Sequence, residues 1–260
     1  MSVTVGRGLV VELIRESAML KKAYKILECD QEVQSLLRMS NVMAVNRLMY
    51  NDHGVVHARI VSGSALKIFE LLVEYGVTPS SIVNGITESL EEAKLIVLIG
   101  AYLHDVGNAI HRSNHNIHGC ILSKPIIDRI LLELVDRSKV VPLRQEILHV
   151  IYSHDESVKC LSVEAGCVKI ADGTDMAEGR ARIPYKLGKM DIHAVSALSI
   201  KKIEIERGET KPVRIKVFMK DNAGIFQIER VLMEKILTSA LERYVEVVAY
   251  IDGRELKSFG

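Results

Sequence analysis

From Leu9 to about Leu198 the apolar residues recur three or four positions apart, and strict alternation is rare. Helices are therefore expected throughout this part. In "VVHARIVSGSALKIFELLVEYG", Val55 to Gly76, a stripe of apolar or small residues runs through Val56, Ile60, Val61, Ser64, Ala65, Ile68, Phe69 and Leu72. Asp52 is its candidate N-cap, and Gly76 stands just past its end. "SLEEAKLIVLIGAYLHDVG", Ser89 to Gly107, opens with a capping serine and two glutamates and then turns apolar on every side, the pattern of a central buried helix. Further helices are expected from near Asn116, where Pro125 must kink or restart the chain, from Pro142 as a first helical residue, and through "EAGCVKIADGTD".

After Leu198 the period changes. "IKKIEIE" and "VRIKVFM" alternate, "AGIFQIERVLMEKILTSALERY" is an amphipathic helix, and "VEVVAYI" is a third strand. The expected fold is mainly α, a helical bundle over residues 1–198, followed by a small C-terminal β-β-α-β (α+β) unit over residues 199–260. Three strands leave open edges, so a homodimer is expected.

Composition narrows the function classes. The 260 residues carry a net charge of +1, with 48% hydrophobic and 26% charged residues. No basic stripe presents itself for a long nucleic acid, which is therefore not the expected partner. The strongest apolar run, Leu95 to Leu103, is about half a bilayer span, and the N-terminus meets charge too early for a secretory signal, so a cytoplasmic protein without a membrane partner is expected. Cys29, Cys120, Cys160 and Cys167 form no CxxC pair and read as reduced, packed thiols.

The chemistry lies in histidine and aspartate. "HDVGNAIHRSNHNIHG", residues 104 to 119, holds four histidines, and eight of the chain's nine lie between residues 53 and 154: His53, His57, His104, His111, His115, His118, His149 and His154. His57 falls on the inner stripe of its helix, His118 shares a face with Ile121 and Leu122, and Asp172 is one turn past Val168, pointing inward. A buried carboxylate is costly by several kcal/mol unless a cation or several donors meet it. Imidazole and carboxylate without thiolate suit Mn, Fe, Co, Ni or Zn as one or two divalent ions, rather than a structural zinc.

The order His57, then His104-Asp105 at the end of an apolar helix, then Asp172 in "KIADGTD" resembles the HD superfamily of metal-dependent phosphohydrolases over about residues 50 to 185. The resemblance implies an HD-type helical bundle in which His57, His104, Asp105 and Asp172 bind one metal, with Asp105 able to bridge to a second. "NIHG" with His118 and "IYSHDE" with His154 are similar to the third and fourth histidine segments of dinuclear members, with His115 and His149 as competing positions. The doubled histidine of the cyclic-dinucleotide branch is Ser153-His154 here, and its Gly-Tyr-Pro sequence is missing. His53, four residues before His57, is a candidate substrate contact, as are Arg180 and Arg182 in "EGRARIPYKLGK"; Asp175 is a candidate orienting partner for a ligating histidine.

The expected activity is metal-dependent hydrolysis of a phosphomonoester or phosphodiester of a nucleotide or similar small phosphorylated metabolite, by metal-activated water that Asp105 orients. Two alternatives stand beside it: a nuclease or cyclic-nucleotide phosphodiesterase on the same site, and a non-enzymatic metal- or nucleotide-binding regulator.

Overall fold

The computed structural model describes residues 2–177 and 192–260. A short strand β1 (Val3–Thr4) leads into α1 (Leu9–Ile14), α2 (Ala18–Cys29) and α3 (Gln31–Asn41), which runs on as a π-helical turn, Val42–Arg47. The bundle continues with α4 (Val55–Tyr75), α5 (Ser80–Val83), α6 (Leu90–Leu103), a 3₁₀ turn (Val106–Ala109), α7 (His115–Leu132), α8 (Arg137–Ser153) and α9 (Val163–Thr174). After α10 (Ile192–Leu198) come β2 (Ile200–Glu206), β3 (Val213–Met219), β4 (Val245–Ile251) and β5 (Arg254–Phe259). Between β3 and β4, consecutive segments Ile225–Gln227, a π-helical Ile228–Leu232 and Met233–Thr238 form one helix, α11. Mainly α, with a C-terminal β unit, is the architecture the periodicity predicted.

The bundle is organised around α6. Ser89 caps it by accepting from the Glu92 N–H, and every residue from Leu95 to Leu103 is buried, so the helix contacts α2, α4, α8 and α9 with all its faces. Each fully buried Leu or Ile there contributes about 2 kcal/mol from removal of apolar surface. His104 and Asp105 therefore follow a helix that is fixed from every side. Among the described residues no helix is long and apolar enough to cross a membrane.

The sheet order is β1-β2-β3-β4-β5, antiparallel throughout except for the parallel pair β3–β4, whose crossover is α11. Two of these strands did not stand out in the sequence. β1 has two residues and pairs Val3 with Ile205, so the sheet's outer strand comes from outside the expected 199–260 unit. β5 is mostly exposed and charged, which hides its alternation; its signal is the Asp252-Gly253 turn, both residues at positive φ, which folds it back on β4. Pro142 also differs from expectation: α8 begins at Arg137, and the proline lies inside it. Lys139, ahead of the proline, is held by Glu88 and Glu92, which anchors that additional turn.

Candidate metal centre

The last turn of α6 delivers His104, and the chain then leaves the helix so that Asp105 heads the 3₁₀ turn. The Asp105 carbonyl accepts from Ser40 Oγ at 3.1 Å and from the Asn108 N–H at 3.0 Å, while Asn108 Nδ2 donates to Asp105 Oδ1 at 2.7 Å. Gly107 lets this turn press against α7. A Cβ there would stand 1.8 Å from the His115 carbonyl oxygen and 2.4 Å from the Gly119 nitrogen, so only glycine permits the approach.

Three histidines share one device. His104 Nδ1 donates to the Ala101 carbonyl at 2.8 Å, His154 Nδ1 to the Ile151 carbonyl at 2.6 Å, and His57 Nδ1 lies 2.6 Å from Asp175 Oδ2. Because a carbonyl or carboxylate only accepts, Nδ1 carries the proton, and in a neutral ring Nε2 is left as a lone pair. Those lone pairs converge. His57 Nε2 is 3.1 Å from His104 Nε2 and 3.2 Å from both Asp105 Oδ2 and Asp172 Oδ1. His104 Nε2 is 3.4 Å from Asp105 Oδ2 and 3.8 Å from Asp172 Oδ1. The four residues expected to meet therefore do so across α4, the α6 terminus and α9.

On the other side of Asp105, Oδ1 lies 3.6 Å from His154 Nε2 and 3.8 Å from His115 Nε2, and these two nitrogens are 3.0 Å apart. Burial, followed by the nearby His154 and Arg112, pushes His115 down to about 3, and burial also lowers His154, so both are neutral donors at ordinary pH. Burial works to raise the Asp105 and Asp172 carboxyls. The neighbouring groups, His53 and His104 around the first and the Lys235 ammonium beside the second, overcome it and hold both well below the usual carboxylate range.

The arrangement fits a divalent ion. Two ligand atoms on one ion, each about 2.1 Å from it and near a right angle, are about 3 Å apart, which is the spacing of the facing nitrogens here. Without a shared cation or proton, two lone pairs at that distance repel. Three donor sets are drawn together: His53, His57 and Asp105; His57, His104 and Asp172; His104, Asp105 and His154. Cysteine contributes nothing, and all four cysteines are free thiols.

His118 stands apart from the place expected for it. His118 is only half-buried and is not among the converging donors; its Nδ1 meets no hydrogen-bond partner. His115, one turn earlier, stands at that place instead. The buried row of α7 runs His115, Gly119, Ser123, Ile126, Ile127, Ile130, whereas Ile121, used to orient the helix in sequence, is 65% exposed. His53, expected against substrate, has its Nδ1 2.6 Å from Asp105 Oδ2 while lining the cavity. His149 accepts from the Leu161 N–H, away from the cluster, and His111 is exposed. Arg180 and Arg182 lie outside the described residues.

The donors open into a cavity of about 490 Å³ lined by Tyr50, Asn51, Arg112, Asp155 and Lys235 together with His53, His115, His154 and Asp172. Lys235, from α11, escaped sequence reasoning although it carried a signal. It interrupts the apolar row Ile228, Leu232, Ile236, where a charged residue needs a partner. Here that partner is Asp172.

The Asp175 contact gives a test of the histidine device. Asp175→Ala is expected to lower divalent-metal affinity 10- to 100-fold while leaving the helix content unchanged, because the ring of His57 loses the acceptor that fixes its tautomer. Titration of Mn²⁺ into the chelator-treated variant reads this directly; wild-type affinity would mean that Asp175 does not orient His57.

Comparison with known proteins agrees with the geometry. The family model for the HD domain matches residues 53–177. An uncharacterized protein of Methanocaldococcus jannaschii is 45% identical over 232 residues, 89% of each chain. No solved structure matches significantly.

Proposed function

Because this chain belongs to the HD superfamily of metal-dependent phosphohydrolases, we propose that it cleaves a phosphomonoester or phosphodiester of a nucleotide or similar small phosphorylated metabolite. In this reading His57, His104, Asp105 and Asp172 hold one divalent transition-metal ion, and Asp105, His115 and His154 hold a second. The observation that carries it is the pair of facing imidazole nitrogens on either side of one carboxylate: His57 with His104 at 3.1 Å and His115 with His154 at 3.0 Å. Asp105 directs Oδ2 to the first pair and Oδ1 to the second, as a bridging ligand would.

A bound divalent ion supplies Lewis-acid polarisation of a phosphoryl oxygen and lowers the pKa of water from 15.7 toward ~7. The chain's own residues then position the reaction. Asp105 orients the attacking water, and Asn108 and Ser40 hold Asp105 in place. Arg112, its guanidinium 3.9 Å from Asp105 Oδ1 and facing the cavity, offers a fork of donors for phosphate oxygens. Tyr50 and Asn51 at the mouth give a ring face and an amide for the rest of a nucleotide. A cavity of about 490 Å³ favours a small molecule over a polymer. The helical unit of residues 1–198 carries the donors in this reading, and the unit of residues 199–260 closes one wall.

Metal analysis of the purified protein, paired with phosphate release from a nucleotide panel with added Mn²⁺, tests the reading. Bound transition metal and Mn²⁺-dependent release are expected. Full metal occupancy with no turnover on any nucleotide or generic phosphate ester would replace the enzyme with a binding regulator.

A further inference from the structure

Lys235 lies beyond residue 198, in the C-terminal unit, yet its ammonium lines the cavity beside the donor cluster. It reaches this point because α11 rests closely on α9. A Cβ added at Gly173 would stand 3.1 Å from Leu232 Cδ1 and 3.3 Å from Lys235 Cδ, and one at Gly166 only 2.5 Å from the Ser239 carbonyl oxygen. Two glycines, seven residues apart on the same face of α9, thus set the distance at which the lysine arrives.

The side chain is 11% exposed, so its charge must be answered locally. Lys235 Nζ donates to Asp172 Oδ2 at 2.8 Å and to the His154 carbonyl at 3.2 Å. An ammonium has three N–H groups. Two are engaged by protein oxygens, and the third is left for whatever occupies the cavity. The other Asp172 oxygen, Oδ1, is 3.2 Å from His57 Nε2, so the ammonium stands across a single carboxylate from the donor cluster.

We propose that Lys235 is a phosphate-binding residue of this pocket, its third N–H taking a non-bridging oxygen of the substrate's phosphoryl group. This rests on the phosphohydrolase reading of the same site. It makes the C-terminal unit part of the active site rather than an appendage. A compact ammonium suits a single-oxygen contact, whereas the planar fork of Arg112 suits two, so the pair grips a phosphoryl group from different directions.

The test titrates orthophosphate into the full-length Mn²⁺-loaded protein by calorimetry, with bound Mn²⁺ counted by elemental analysis. Lys235→Met is expected to keep the wild-type Mn²⁺ stoichiometry and to bind orthophosphate at least tenfold more weakly, and Lys235→Arg to return the affinity to within threefold of wild type. In steady-state kinetics Lys235→Met raises KM by a similar factor. Unchanged orthophosphate affinity in Lys235→Met overturns the proposal and leaves the metal centre standing. Loss of Mn²⁺ in that variant also overturns it, assigning the lysine to holding Asp172 alone. Should Lys235→Met not fold, Lys235→Gln, which keeps a donor for Asp172 or the His154 carbonyl, is judged by the same outcomes. A wild-type protein that binds no Mn²⁺ brings down the metal reading and this inference together.

Discussion

Asp105→Asn is expected to reduce bound metal to background and phosphate-ester hydrolysis by about a thousandfold or more, the loss of a metal ligand and of the group that orients water together. The substitution keeps size and shape. The backbone carbonyl of residue 105 still accepts from Ser40 and Asn108, so circular dichroism and melting should report a folded protein. What disappears is the charge on which both sets of donors converge. Asp105 Oδ2 lies within 2.6 to 3.4 Å of His53, His57 and His104, and Oδ1 within 3.6 to 3.8 Å of His154 and His115. With a neutral amide there, five imidazoles face one another with only Asp172 to offset a dication. Elemental analysis beside the hydrolysis assay decides the matter: wild-type metal content or wild-type turnover in the folded variant contradicts the proposed centre.

The second large effect separates two histidines three residues apart. His115→Ala is expected to cost about a hundredfold in hydrolysis and to lower the number of tightly bound ions, whereas His118→Ala should stay within about twofold on both counts. The contrast follows from position alone. His115 Nε2 faces His154 Nε2 at 3.0 Å and lies in the cavity wall, and burial keeps its ring neutral and ready to donate a lone pair. His118 sits half-buried on the flank of the same helix, its Nδ1 without a hydrogen-bond partner and its ring without the contacts to Asp105 and His154 that His115 makes. Calorimetric Mn²⁺ stoichiometry for the two variants, measured side by side, is the readout. A silent His115→Ala or a crippled His118→Ala would put the second ion elsewhere.

These two histidines also show where sequence periodicity stops. On α4 and α6 the apolar residues are dense enough to define an inner face without help, so His57, His104 and Asp105 could be placed by counting turns, as could Asp172 on α9 from Val168. On α7 the pattern is ambiguous. Ile117 and Ile121 are 45% and 65% exposed, and the buried row is instead made of His115, Gly119 and Ser123, small or polar residues that no hydrophobic stripe reveals. What turns this row inward is the contact of the α7 backbone with Gly107, eight residues before α7 begins, and the packing of α7 on α8. The signal existed in the pair of glycines, but it becomes a constraint only when the turn and the helix meet.

The sequence by itself determined the helical bundle, the three main strands and the crossover helix, and the inward places of His57, His104, Asp105 and Asp172, because each depends on a local period or a strong neighbouring pattern. Only the tertiary structure decided which face of α7 looks inward, that β1 crosses from the N-terminus to the far sheet, and that Lys235 meets Asp172 across 63 residues of chain. Those outcomes depend on how closely two backbones approach, and on where a buried charge finds its counter-charge. Neither quantity exists until distant segments are packed against each other.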